Sequence, residues 1–270
     1  MSIIAPATLE GWYVLHQMVA LDWTALRGLD AAPRRRLAAA GAALMDALTP
    51  EAGRGWSAAF RLAGGGGADL MLVHFRPSLD EIAAVQTQVR ASELGATLDL
   101  VYDFLSVTEA GLYHATAEAA RAHAPGSREF NEHIRTECEA ELASAHVRTR
   151  LYPQVPEHMR YASFYPMTKR RGETFNWYAL EIAERNRLMR EHGLTGRRYA
   201  GRVFQVISGA VGLDDWEWGV TLFAADPLEF KRIVTEMRYD EASSRYGEFG
   251  TFYTGVRISA TDWGTVVGES

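Results

Sequence analysis

Three short segments bring together side chains able to do chemistry. The first ends in His192. The pattern over 176–192 predicts a helix, with Tyr178, Ile182, Met189 and His192 near one stripe at i, i+4, i+11 and i+14. Gly193 follows at once, as expected of a residue just past a helix end. A histidine in that place has two readings. It can rest on the negative end of the helix dipole. It can also present a neutral imidazole from a rigid element into an apolar pocket and act as an axial metal ligand.

The second segment is Tyr165-Pro166-Met167-Thr168-Lys169-Arg170-Arg171, at the end of an apolar strand. A phenol and an ammonium four residues apart, beside a basic run, can bind an anion and exchange protons. A tyrosine can also give up an electron with a proton. The alternative is a strand end followed by a solvated basic turn. The third segment holds Arg238, Asp240, Glu241, Ser243 and Ser244. Arginine binds carboxylates bidentately and serines add donors; an ordinary helix end of mixed charge is the other reading. The tryptophans of Leu213-Asp214-Asp215-Trp216-Glu217-Trp218-Gly219 read as core or subunit contacts. His114, His123, His133 and His146 fit no compact metal motif and read as exposed. No P-loop, GxSxG, HExxH or dinucleotide fingerprint occurs.

These residues need elements to hold them. Residues 11–23 read as a strand, 31–49 as a helix, and 55–63 and 69–76 as strands joined across Gly64-Gly65-Gly66-Gly67. Pro77 opens a helix to about 92, with Ser78 and Asp80 in its first turn, and 97–107 is a further strand. The second half repeats the order: strand 158–166, helix 176–192, strands 199–208 and 216–225, a helix opened by Pro227, and strand 249–258. LMLVHFRPSL at 70–79 is similar to WGVTLFAADPL at 218–228. Two tandem β-α-β-β-α-β units follow, a duplicated ferredoxin-like α+β fold whose sheets pack into one barrel-like core. Residues 114–146 interrupt the pattern as a partly helical, solvated connection.

The net charge of −6 gives no overall attraction to nucleic acid or anionic membranes. No apolar run approaches the length of a membrane span, and the N-terminus lacks a signal-peptide pattern. The single cysteine, Cys138, lies between Glu137 and Glu139 and reads as incidental, in a reducing, cytoplasmic setting.

Taken together and in order, LEGWYVLHQMVALDW, RLYP at 150–153, YPMTKRRGETFNWYAL and the run from EHGLTGRRYAGRVFQV to RYGEFG resemble the coproheme decarboxylases of monoderm bacteria, within the chlorite dismutase-like superfamily. The likeness spans nearly the whole chain and is densest from 148 to 258. It implies two ferredoxin-like units forming a dimeric α+β barrel. Residues 1–113 would be a half without porphyrin, 114–146 a connection, and 147–270 the half binding coproheme or haem. That connection is longer than in close relatives. The resemblance further implies a homopentamer, while charge and hydropathy imply no nucleic-acid partner and no membrane span.

On the matching motifs, the resemblance makes His192 the proximal iron ligand and Tyr165 the residue oxidised to attack a propionate. Lys169 assists proton transfer. Gln205 stands on the distal side, where chlorite-splitting relatives carry arginine. Arg150, Tyr152, Met167, Arg238 and Ser243 hold propionates, and Tyr113 matches loosely. The implied reaction uses hydrogen peroxide to convert two propionates of iron-coproporphyrin III to vinyls through a monovinyl intermediate. It gives haem b in the coproporphyrin-dependent pathway, with transient contact with coproporphyrin ferrochelatase. A chlorite dismutase-like or peroxidase enzyme, or a non-catalytic haem-binding protein, are the rival readings.

Overall fold

The computed structural model describes residues 2–64 and 66–268, so Gly65 of the glycine connection lies outside the described residues. The first unit runs β1 (Ala7–Leu21), α1 (Trp23–Arg27), α2 (Ala31–Ala47), β2 (Trp56–Gly64), β3 (Leu70–Arg76), α3 (Leu79–Ala91) and β4 (Leu98–Leu112). Three helices follow: α4 (Tyr113–Ala122), α5 (Arg128–Ala143) and α6 (Ala145–Leu151). The second unit runs β5 (Tyr161–Lys169), α7 (Ile182–Arg197), β6 (Val203–Gly209), β7 (Trp218–Ala224), α8 (Leu228–Met237), α9 (Glu241–Ser244), β8 (Gly247–Phe249), β9 (Tyr253–Arg257) and α10 (Trp263–Val266).

The sheet order is β7-β6-β4-β1-β3-β2-β9-β5-β8, and β5 also pairs with β7. That extra pairing closes eight strands into a ring, with β8 outside it. Within the ring, β4-β1-β3-β2 and β6-β7-β5-β9 are the four-strand groups contributed by the first and second unit. The chain is thus a mixed α+β protein, as the repeat implies. Every ladder is antiparallel, so alternate side chains point into the ring or out of it. Trp12, Val14, Met18, Phe60, Met71, Phe75, Phe104, Phe164 and Phe223 fill the interior. Leu21, Leu37, Leu70, Leu72 and Val85 form the outer layer of the first unit, with Trp263. Tyr165, Val220, Leu222, Phe230, Ile233 and Met237 form that of the second.

Local sequence explains most boundaries. Ser78 caps α3 by accepting from the Glu81 amide at 3.2 Å. Pro227 stands at the N-cap of α8. The expected helix over 176–192 is corrected. Asn176 caps a short 3-10 turn at Trp177–Ala179, the chain extends at Leu180, and α7 then runs on to Arg197. Gly193 does not end it, and His192 lies inside the helix, more than a turn from its end. A glycine inside a helix costs only about 0.5–1 kcal/mol, which tertiary packing overrides. The left-handed turn comes later, at Gly201 with φ +80°.

The connection is more structured than its composition suggests. In α4, Ala115, Thr116, Ala117 and Ala119 are buried. Small side chains let a helix approach its neighbours closely without a pronounced apolar stripe. By contrast, α5 has no buried residue. Of the four histidines there, His123 and His133 are half-buried with ring centroids 6.0 Å apart, whereas His114 and His146 are exposed.

Two buried histidines couple the fold to pH. His16 binds Thr221 Oγ1 at 2.9 Å inside the ring, and His74 binds Ser57 Oγ at 2.9 Å on the outer face of β3. Burial lowers each from 6.5 to about 3. The unfolded chain therefore takes up these protons first. Stability should fall as pH drops below 6.5 and level off near 3. Urea melts at pH 6.5 and 4.5 should differ by on the order of 3–5 kcal/mol from both sites. His16→Gln should flatten that dependence; an unchanged slope would refute the assignment.

Candidate functional site

The outer face of the second four-strand group carries the candidate residues. Tyr165 on β5 stands opposite Val220 on β7, which stands opposite Ile207 on β6. One row along, Ser163 faces Leu222, and Leu222 faces Gln205. Tyr165 and Gln205 thus share a face across an apolar floor. α8 covers it through Phe230, Ile233 and Met237, and α7 reaches its edge, where a Cβ at Gly196 would lie 3.3 Å from Met237 and 3.8 Å from Gln205 Oε1.

Tyr165 is only 4% exposed. Its ring stacks on Phe252 at 4.3 Å and meets Phe249 at 5.9 Å. Burial pushes its phenol well above the ordinary value, while Arg238 pulls the other way. Arg238 is exposed at the end of α8, its guanidinium 3.8 Å from the centre of the Phe249 ring. Met167 follows on the same face, half-buried.

Lys169 ends β5 and is buried. Its ammonium donates to the Ala242 carbonyl at 3.0 Å and lies 4.5 Å from the Trp177 ring centre. Burial lowers its pKa to about 8, against the pull of Asp240 and Glu217. Glu217 also accepts from the Lys169 amide at 2.8 Å, and after burial it is the main group that raises the Tyr178 phenol. Tyr113, at the start of α4, meets Trp177 edge-on at 6.3 Å. The loosely matched tyrosine and Lys169 therefore border the same indole.

His192 is half-buried, with Nδ1 2.9 Å from Asp240 Oδ2. Asp240 is itself fixed, accepting from the Ser243 amide at 2.8 Å at the N-cap of α9. Burial would raise its carboxyl, but His192 and Ser243 outweigh this and hold it below the usual carboxylate range. A carboxylate on Nδ1 selects the tautomer that leaves the Nε2 lone pair available as a ligand. The structure thus joins the helix histidine and the acidic run into one unit. Ser243 is buried, and its hydroxyl lies 3.4 Å from Asp240.

Arg150 and Tyr152 lie at another edge. Thr108 donates to the Leu151 carbonyl at 2.7 Å, fixing this segment on β4. Glu109, whose charge bears on Arg150, accepts from Trp218 Nε1 at 2.7 Å, and Trp218 pairs with Met167. Tyr152 packs edge-on to Trp12 at 5.5 Å. Asp240, Glu217, Trp177 and Phe252 had no motif to mark their roles. Cys138 borders the Leu9–Ala110 cluster, and burial, then Glu10, Glu137 and Glu139, raise its thiol.

The donor set suits a metal held by an organic ring. Among the described residues, no group of three or more His, Cys, Asp or Glu side chains could hold a bare ion. A porphyrin iron needs one axial imidazole, an apolar slot and cationic or hydroxyl donors for its carboxylates. His192 supplies an imidazole, and Lys169 and Arg238 supply cations, beside the apolar layer of Val220 and Leu222 that α8 covers. A cleft of about 530 Å³ between α2 and α3 lies in the other unit, away from these groups.

The chlorite dismutase family model matches residues 34–258, and the chain belongs to that family. It is 40% identical to a coproheme decarboxylase of Staphylococcus carnosus, over 93% of both chains. It is 41% identical over 97% of its length to a provisionally named heme-binding protein of Haloquadratum walsbyi, of which it spans only 47%. A heme-binding protein of Thermus thermophilus has a similar structure, with TM-score 0.82 and 38% identity over 98% of this chain and 99% of that one. An R173E chlorite dismutase of Candidatus Nitrospira defluvii shares the fold at TM-score 0.69, with 18% identity over 96% of each chain. No helix among the described residues is long and apolar enough to cross a membrane.

The Asp240 cap is testable without ligand. Asp240→Ala should cost about 1–2 kcal/mol in urea unfolding, whereas Asp240→Asn keeps most of the cap. Equal losses would show that its side-chain oxygen does not cap α9.

Proposed function

We propose that this chain is a coproheme decarboxylase, binding iron-coproporphyrin III in the half formed by residues 147–270. The observation that carries the reading is the His192–Asp240 unit on α7, the helix whose Gly196 reaches Gln205 at the edge of the apolar floor shared with Tyr165. The high identity to a coproheme decarboxylase over nearly the whole chain supports it. A glutamine at 205 favours this branch over chlorite dismutation.

Each of the two reacting propionates would lose carbon dioxide, one proton and two electrons, giving a vinyl group. Hydrogen peroxide would take the two electrons and, with two protons, become two molecules of water. The substrate iron supplies the oxidising centre when bound. His192 holds the metal from one side, with Asp240 orienting the imidazole. Tyr165 provides a buried phenol that can release an electron and a proton towards the reacting propionate. Burial lowers the Lys169 pKa to about 8, so its ammonium can exchange that proton. Arg150, Tyr152, Met167, Arg238 and Ser243 line the propionate positions. Two turnovers would give haem b through a monovinyl intermediate. A cytoplasmic homopentamer passing substrate from coproporphyrin ferrochelatase completes the proposal.

The coverage of Tyr165 by Phe249 and Phe252 favours one rival, a haem-binding protein without turnover. Coproheme with peroxide, followed by chromatography, separates the two. The enzyme should yield mono- and divinyl products, and Tyr165→Phe should abolish them while retaining binding. Unchanged turnover in that variant would sink the catalytic assignment. His192→Ala should shift the Soret band; an unaltered spectrum would place the ligand elsewhere.

Lys169 predicts a pH dependence. Its folded pKa near 8 means the ammonium form is lost as pH rises through that value. Turnover should fall above about pH 8 if that proton is donated, and Lys169→Gln should remove the inflection. A profile identical in the variant would exclude the lysine as donor.

A further inference from the structure

Arg185 is a buried cation that the fold leaves poorly compensated. It is 3% exposed. Through Nη2 it donates to the Ile4 carbonyl, and its Nε meets no acceptor. The groups whose charge bears on it are the phenols of Tyr113 and Tyr178, neutral at ordinary pH. Arg76 shows the contrast. Equally buried, it donates to the carbonyls of Trp56, Phe75 and Leu48 and to Ser57 Oγ. A buried guanidinium without such partners carries a large desolvation cost, which an anion relieves.

Its position specifies the anion. Arg185 and His192 are seven residues apart on α7, which places them on one face about 10 Å apart along the axis. Met189 and Gly196 share that stripe, and Gly196 faces Gln205. Arg185 therefore lies on the same side of α7 as the imidazole that would hold the iron. Tyr113 stands beside Arg185 and against Trp177, where its hydroxyl can add a second donor.

We infer that Arg185, with Tyr113 beside it, forms a carboxylate subsite for one propionate of the porphyrin whose iron His192 would hold. The inference rests on the porphyrin-binding reading and adds a residue to it. A planar guanidinium there takes a carboxylate bidentately. It would favour carboxylate-bearing porphyrins over uncharged ones.

The test compares iron-coproporphyrin III with its tetramethyl ester, by Soret titration of the full chain, alongside urea unfolding of the ligand-free protein. Arg185→Met should weaken binding of the acid about tenfold or more while changing the ester less than about twofold. The ligand-free protein should lose no stability, because a buried charge has been removed. Arg185→Lys should recover part of the affinity. Should the methionine variant not fold, the lysine variant serves alone, with a loss of about threefold or more for the acid only. Equal losses for both porphyrins would overturn the inference and make Arg185 a clasp on the N-terminal segment. Unchanged affinity for the acid would overturn it too. Failure of the wild type to bind the acid would refute the porphyrin reading itself.

Discussion

Closure of the ring is the constraint on which the rest depends. The β5–β7 ladder runs for seven residue pairs, from Tyr161 opposite Ala224 to Met167 opposite Trp218. Two strands away, β4 joins β6 through only Val107–Gly209 and Thr108–Ser208. A closed antiparallel ring gives each strand an inner and an outer face, and both must be covered. Aromatic and aliphatic residues from both units fill the interior, while helices cover each outer face. The candidate site exists because the second outer face carries Gln205 and Tyr165 among its apolar residues.

Charge is arranged around that face with unequal compensation. Asp240 is held by His192 and by the first turn of α9, so its ionised form is favoured despite burial. Lys169 has a carbonyl, an indole and two nearby carboxylates, yet burial still lowers its pKa. Arg185 has a carbonyl and two phenols. Positive groups near an apolar floor are expensive to maintain for stability alone. They are well suited to a flat, apolar ligand with several carboxylates.

Much of the fold was legible because periodicity is local. The strand and helix positions, the Ser78 cap, the Pro227 start and the duplicated order follow from residue spacing. The end of α7 was not legible. Gly193 resembles a stop signal, yet the helix passes through it because packing outweighs the small cost of glycine. The burial of α4 was not legible for a related reason. Apolar periodicity detects large side chains, whereas α4 packs through alanine and threonine.

The site divides the same way. By itself the sequence determined the residue types: a histidine on a helical stripe, a tyrosine four before a lysine, and an arginine-serine run. Their resemblance to a known family assigned them roles. Only the tertiary structure decided that Asp240 meets His192 across 48 residues, that Tyr165 and Gln205 share an outer face, and that Arg185 is buried with so few acceptors. Those contacts depend on ring closure and on the register between strands. Both are set by the packing of distant segments, and local spacing along the chain does not encode them.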